Sequence, residues 1–537
     1  MGTIPAPSWV STGAVIAEGL DLLGLRQPVQ AIGGNLLDGV TSVTPTIRYL
    51  SFSCWLLYRY AEARLPDSYK DFSAFAQRAE AALVMGNLLA NGRVNGLVGP
   101  IRSQRRLEES ESELVTLDPV ANTPALGIYL SAAAQLGFFK LRGDAAPQLS
   151  KERGLPLALA MDAILSSSPF AQRLTSSSPP DKATTKDLES LGKTVAMNAI
   201  SKQEVELLGN AVIPEHSTNT ESPRVATYAS IFSLTDELKR IPGEFEFMEA
   251  ATRSSGFANH QLENWSDAWL AYEIRDMLAA THECLCFELL EEVNQKGGQG
   301  RTPLTPTSVI RALLSNADDL LDALVRLGLA EDDEIVEDLS VKDLVKRVVK
   351  ATRKKRVLRN GLYRWEGDLT ETAVIEAALS LSSGQSVLVM VAWILVAQRV
   401  STDLGNHNSQ LALLSAEEDR RVGVFDVVVR SVSDWGNDDT SIVEKAAELM
   451  NFTIQQHLNI AWSRMATDLK KDVALLSVDE GKWKSRGKQI AAGRTVSRLD
   501  QAIGWMAQLG WIDEKGITST GRRYAERAYE IAGRAIQ

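Results

Sequence analysis

The tetrapeptide Ala-Gln-Leu-Gly occurs twice in this 537-residue chain, at 134–137 and 507–510, and each copy is followed by an aromatic residue, Phe138 or Trp511. Each copy closes a segment of helical periodicity, Thr123 to Gly137 (opened by Pro124) and Arg494 to Ile512. Glycine ends a helix because it takes positive φ without a steric cost, and the strand that follows packs back on the helix. In the first copy Phe138–Leu141 reads as a strand, Gly143-Asp144 as a turn, and Gln148–Gly154 as a return strand entering a helix. In the second, Ile512–Thr518 reads as a short hairpin and Thr520–Glu526 opens a helix. A hydroxyl residue and a glycine stand near the entry of each last helix: Ser150 and Gly154, Thr520 and Gly521. Helix, hairpin, helix is therefore expected at the C-terminus and around 122–156, within a mainly α, multidomain chain. Leu324–Leu329 offers another Leu-Gly helix end, but an acidic run, 331–337, follows it where a hairpin should be, so no third unit is expected there.

Helix, two-strand wing, helix is the order of a winged helix-turn-helix, and the C-terminal region resembles that fold. The resemblance implies a nucleic-acid-binding or protein-docking module. Charge favours a polyanion as its partner. Residues 481–537 hold eleven Lys plus Arg against five Asp plus Glu, while the whole chain is −11, which leaves −17 for residues 1–480. An acidic body with a basic terminal segment is the asymmetry expected when one segment meets nucleic acid or an acidic protein. Lys482, Lys484, Arg486 and Lys488 precede the presumed recognition helix, Arg494 and Arg498 stand at its start, and Arg522 and Arg523 open the next helix. Helix-turn-helix proteins place that N-terminal end in the major groove. Lys488, Arg494, Arg498, Arg522 and Arg523 are thus the expected phosphate contacts. A second set lies in the run Lys342–Arg359, nine Lys or Arg with one acid, where Lys350, Arg353 and Lys354 are the expected contacts. Its opposing interpretation is a solvated helix balanced by Glu331–Glu337.

A chain of this length exceeds one hydrophobic core, and about three to four domains are expected. Composition divides it into a helical domain at 1–165, a linker at 166–225, a central helical domain at 226–420 and a helical and winged-helix domain at 421–537. The linker rests on Ser166-Ser-Ser-Pro169, Thr175–Asp181 and Pro214–Pro223, rich in Ser, Thr and Pro. Tyr49, Phe52, Trp55 and Tyr58 recur at spacing three and predict the inner face of a core helix more readily than a base-stacking platform. Three cysteines, Cys54, Cys284 and Cys286, make no disulfide framework and point to a reducing cytoplasm. The first ten residues show no secretory signal, and the longest apolar run, Val387–Ala397, is half a membrane span, so no membrane partner is expected.

No phosphate-loop, dinucleotide or nucleophile-elbow motif is present in the sequence. His282-x-Cys284-x-Cys286 places alternate residues in different directions on a helix, so core packing is expected and a metal is not. Arg253…His260 and Arg275…His282 resemble the Arg-x4–6-His signature of HEPN ribonucleases, which implies a helical ribonuclease acting through Arg275 and His282. Finally, Gly39–Leu57 (Gly-Val-Thr-Ser-Val-Thr-Pro-Thr-Ile-Arg-Tyr-Leu-Ser-Phe-Ser-Cys-Trp-Leu-Leu) resembles the opening of uncharacterised proteins encoded among bacterial anti-phage defence genes. That resemblance implies an accessory component of a defence system and carries over no catalytic residue. The expected function is a non-enzymatic subunit or adaptor, without cofactor, that associates with nucleic acid, DNA in preference to RNA, and with other protein subunits. The alternatives are the HEPN-like ribonuclease and a protein-only scaffold whose winged helices dock partners.

Overall fold

The computed structural model describes residues 21–43, 45–110, 113–215, 221–253, 257, 259, 262–298, 302–357, 361–400, 414, 422–467, 474–486 and 492–534. The fold is mainly α, with five two-stranded antiparallel sheets among the described residues. The chain forms two compact units, both discontinuous in sequence. One lies within Asn35–Phe247, Ala258–Leu262 and Ser497–Gln537; the other lies within Met1–Gly34, Met248–Phe257 and Glu263–Val496. This partition differs from the four consecutive segments that composition suggests. A composition shift marks neighbours along the chain, whereas a core is made by segments that return to one another.

The first unit holds both expected helix–hairpin–helix modules. In the N-terminal module, helix Ala125–Gln135 leads to strands Phe139–Arg142 and Ala145–Leu149 and then to helix Gly154–Leu165, which packs on helix Arg48–Glu62. In the C-terminal module, helix Leu499–Gln508 leads to Ile512–Asp513 and Gly516–Ile517 and then to helix Ser519–Arg534, which packs on helix Ser222–Leu238. Along the chain, residues 263–496 are thus interposed between the C-terminal module and the rest of the unit it belongs to.

The repeat is built from matched hydrogen bonds. Gly137 and Gly510 adopt φ of 75° and 65°. Phe138 N donates to Ala133 O, and Trp511 N to Met506 O, both at 2.9 Å, which satisfies carbonyls left open by the helix end. The Ser150 and Thr518 hydroxyls donate to Gly137 O and Gly510 O, both at 2.6 Å. A Cβ added to Gly154 would sit 1.9 Å from Phe138 O, and one added to Gly521 would sit 1.9 Å from Trp511 O. No side chain fits there, so glycine is required by close backbone approach. In the C-terminal copy Thr518 is the hydroxyl that plays the part of Ser150, two positions before the expected Thr520.

Segment 166–225 is not a linker. It contains helices Pro169–Leu174, Thr185–Thr194 and Lys202–Val212, and the polar residues that suggested flexibility are their caps. Ser168 Oγ accepts from Ala171 N, Thr184 Oγ1 from Asp187 N, and Ser201 forms a capping box with Glu204. Hydroxyl side chains that compete with the backbone inside helices satisfy it at helix starts, and composition alone does not separate the two uses. Helix Arg48–Glu62 buries Tyr49, Phe52 and Trp55 as expected, with the Trp55 indole donating to Asp162 at 2.9 Å.

The second unit is arranged on one 34-residue helix, Glu263–Lys296, against which Glu371–Ser380, Gln385–Arg399 and Ile442–Thr467 pack. That helix buries charge, and arginines answer it: Asp267 with Arg364 at 3.1 Å, Glu283 with Arg26, and Glu273 and Asp276 with Arg494. Unpaired carboxylates at these depths would cost several kcal/mol each. The apolar run Val387–Ala397 forms the buried helix Gln385–Arg399, whose Trp393 stacks on Trp435 at 5.6 Å. No helix among the described residues is long and apolar enough to cross a membrane.

Candidate polyanion interface

In the C-terminal module the helix expected to enter a groove is closed in by its own unit. It begins at Leu499, not at Arg494, because Arg498 takes the left-handed conformation (φ 67°) at its N-cap. It buries Leu499, Ala502, Ile503, Trp505 and Met506. Gln508 accepts from Ile47 N at 3.1 Å and donates to Pro45 O at 2.6 Å, while a Cβ at Gly504 would sit 2.9 Å from Pro45 Cβ. The N-terminal copy reaches both ends of the same segment. There Gln135 accepts from Gly39 N at 3.1 Å, and the Tyr129 hydroxyl donates to Thr46 O at 2.7 Å. The glutamine of each Ala-Gln-Leu-Gly copy therefore clamps one end of segment 39–47.

The expected cations of this module divide accordingly. Arg494 lies in the extended approach to the helix, within the second unit. It reaches Glu273 at 2.5 Å and Asp276 at 3.1 Å, and neither carboxylate side chain is exposed. Burial pushes the Glu273 carboxyl up to about 7, and Arg494 opposes that rise. Arg498 donates to Val40 O at 3.1 Å. Both are corrected from phosphate contacts to internal fasteners: Arg494 is neutralised by buried carboxylates, and Arg498 is tied to a backbone carbonyl. Arg522 and Arg523 are exposed in the first turns of helix Ser519–Arg534, with Arg523 over the Tyr524 ring at 5.0 Å and 4.0 Å from Glu206. Lys488 lies outside the described residues. Lys482 and Lys484 belong to a separate hairpin, Leu476–Asp479 with Lys482–Ser485, in the second unit.

The basic run of the second unit is arranged differently. Helix Val341–Ala351 starts at Ser340, whose hydroxyl accepts from Asp343 N at 3.1 Å. It buries Val341, Leu344 and Val348 and exposes Lys346, Val349 and Lys350, with Arg353 exposed just beyond its end. Spacings of three and four place Lys342, Lys346, Val349 and Lys350 on one face of the helix. Lys342 meets Asp439 at 3.3 Å, Lys346 meets Asp343 at 3.0 Å, and Arg347 forms a two-point pair with Glu334. Exposed pairs of the Lys346 kind contribute little and yield readily to a competing anion. Lys350 and Arg353 have no ion pair among the described residues. Among the described residues the acidic run 331–337 thus engages one member of the basic run, Arg347.

Directly after this helix the chain turns into a hairpin, Lys354–Val357 against Tyr363–Trp365, with Lys354 opposite Trp365. A second helix–hairpin arrangement therefore lies one helix beyond the rejected Leu324–Leu329 site. Gly328 does end helix Ala317–Arg326 at φ 65°, with Leu329 N donating to Leu324 O at 2.9 Å, but no strand follows it among the described residues. The overlooked signal is Asn360-Gly361, a hairpin dipeptide between two short β-favouring stretches.

The ribonuclease pair is not a surface site. His282 and Arg275 are both buried in helix Glu263–Lys296. The Trp393 indole donates to His282 Nε2 at 2.9 Å, which leaves Nδ1 to donate to Thr453 Oγ1 at 3.2 Å. Burial holds that imidazole neutral, with its pKa pushed down to about 3. Arg275 donates to Leu414 O. Neither side chain can meet RNA. Arg253 pairs with Glu249 at 2.8 Å, and His260 lies outside the described residues. Cys54, Cys284 and Cys286 are buried and unbridged, and burial pushes each thiol well above its usual range. No group of three or more His, Cys, Asp or Glu among the described residues is arranged to hold a metal ion. No protein family, curated protein or solved structure matches the chain.

Proposed function

We propose that this chain is a non-enzymatic subunit or adaptor that associates with nucleic acid inside a bacterial multiprotein system, with helix Val341–Ala351 and its hairpin as the contact. The observation that carries this is the exposed set Lys346, Val349 and Lys350 on the helix with Arg353 just past its end; among the described residues Lys350 and Arg353 have no ion pair and Lys346 has only a weak one. Such a face offers charges at intervals that follow a phosphate backbone, and binding of this kind weakens with salt through counterion release. The two helix–hairpin–helix modules serve the fold, since helices Ala125–Gln135 and Leu499–Gln508 hold segment 39–47. The defence-system setting rests on the resemblance of Gly39–Leu57 alone.

The test is a mobility-shift titration with duplex DNA, single-stranded DNA and RNA across a salt series. Lys346→Glu, Lys350→Glu and Arg353→Glu combined should lower the slope of log affinity against log salt by about 2–3, since each lost phosphate contact removes about 0.7–0.9. An unchanged slope would remove this face from the binding site. Stoichiometric copurification with a partner, with no binding to any probe at low salt, would favour the protein-only scaffold.

A further inference from the structure

Beside the cationic face the second unit carries an open cleft of about 480 Å³, within the size range of small-molecule pockets. Ala330 and Glu331, after helix Ala317–Arg326, and Arg347 and Lys350, of helix Val341–Ala351, are among the residues that line it. Arg347 gives the cleft its chemistry. Its Nη1 donates to Leu329 O and to Glu334 Oε1, both at 2.9 Å, and its Nη2 donates to Glu334 Oε2 at 2.6 Å. The guanidinium is held by its edge, so the surface left to a ligand is its flat face. Planar guanidinium stacks on nucleobases, whereas the ammonium of lysine does not. Glu331 is exposed at the rim; its backbone N–H is bonded to Glu334 at 2.9 Å, and its carboxylate has no ion pair among the described residues. That carboxylate can accept from a base amino group. Lys350, exposed and also lining the cleft, supplies a cation that can meet a phosphate. Asp332 and Asp333, exposed beside Glu331, repel an anionic backbone and leave it the Lys350 side.

We infer that the cleft receives one unstacked nucleotide, its base against the face of Arg347 and its phosphate beside Lys350. This rests on the proposed nucleic-acid contact and narrows it to strands whose bases leave the stack without paying for duplex opening, a cost of a few kcal/mol. The nucleotide can belong to a single strand or be free in solution, and the two sources are separable.

The test uses the full chain with three probes: a single-stranded oligonucleotide carrying 2-aminopurine, its duplex, and 2-aminopurine riboside monophosphate. The single strand should bind at least 10-fold tighter than the duplex at equal salt, with a change in 2-aminopurine emission. Ala330→Trp fills the cleft without altering charge and should bring single-strand affinity down to the duplex level. Arg347→Lys keeps the charge and loses the plane, and should weaken the single strand about 10-fold while leaving the duplex unchanged. Equal binding of strand and duplex, indifferent to Ala330→Trp, overturns the cleft and leaves the cationic face standing. Binding of the monophosphate alone, abolished by Ala330→Trp, supports the cleft and overturns the polymer contact. Binding of no probe overturns both.

Discussion

Two regions of this molecule are rich in cations, and the fold uses them in opposite ways. Around the C-terminal module, Arg494 and Arg498 turn inward, to the buried acids Glu273 and Asp276 and to a backbone carbonyl. In the helix Val341–Ala351, Val341, Leu344 and Val348 turn inward, and Lys346, Lys350 and, just past its end, Arg353 are left in water. The difference lies in what each segment packs against. A segment that runs beside a helix carrying buried carboxylates must neutralise them, whereas a helix seated on Val341, Leu344 and Val348 has no such demand to meet. Basic composition marks both segments alike; only the packing partner decides which cations remain to meet a ligand.

The largest expected effect tests the inward half of that contrast. Arg494→Met leaves Glu273 and Asp276 buried without their cation and should lower stability by about 3–5 kcal/mol in a urea titration. A loss below about 1 kcal/mol would show that Arg494 is not an internal fastener. Next come the paired glycines. Gly154→Ala and Gly521→Ala each drive a Cβ onto a carbonyl oxygen, and each should cost about 3 kcal/mol, near the upper end for overpacking. Similar losses at the two sites would support the repeat, and a large loss at only one would break it.

A smaller effect separates the starts of the two modules. Helix Ala125–Gln135 begins on the buried carboxylate of Glu80, which accepts from Ala125 N at 2.9 Å and Leu126 N at 2.6 Å, whereas helix Leu499–Gln508 begins on the Ser497 hydroxyl. Burial pushes the Glu80 carboxyl up to about 7, from 4.5 for an ordinary glutamate. Protonation therefore favours the folded state. The stabilisation is complete below pH 4.5 and is lost as pH rises through 7. Glu80→Gln, neutral throughout, should flatten the dependence of the unfolding midpoint on pH between 4.5 and 7; an unaltered pH profile would assign the trend to other groups. Smallest of all, Lys350→Ala and Arg353→Ala should change stability by no more than about 0.5 kcal/mol, as expected of surface positions without partners. A larger loss would mean that they, too, hold the fold together.

Much of the local structure was legible in the sequence because it depends on near neighbours. Leu-Gly followed by an aromatic residue specifies a helix end and a strand start within six residues, and both modules follow from it. The aromatic spacing of Tyr49, Phe52 and Trp55 likewise reports one face of one helix. What was not legible depends on residues far apart in sequence. Arg494 meets Glu273 and Asp276 across more than two hundred residues, and Gln135 and Gln508 meet one segment from opposite ends of the chain. The caps at Ser168, Thr184 and Ser201 were hidden for a different reason: a hydroxyl at a helix start and a hydroxyl in a loop leave the same composition. Of the expected contacts, Arg522, Arg523, Lys350 and Arg353 are exposed, and the sequence alone held no information that Arg494 and Arg498 would be engaged within the fold.

The most direct measurement is lysine footprinting: amine-reactive labelling with and without a saturating oligonucleotide, quantified by mass spectrometry. Lys346 and Lys350 should be protected on binding, while Lys515, exposed at the tip of the C-terminal wing, should label as before. Protection of Lys515 with Lys346 and Lys350 unchanged would place the contact on the C-terminal module and contradict the assignment made here.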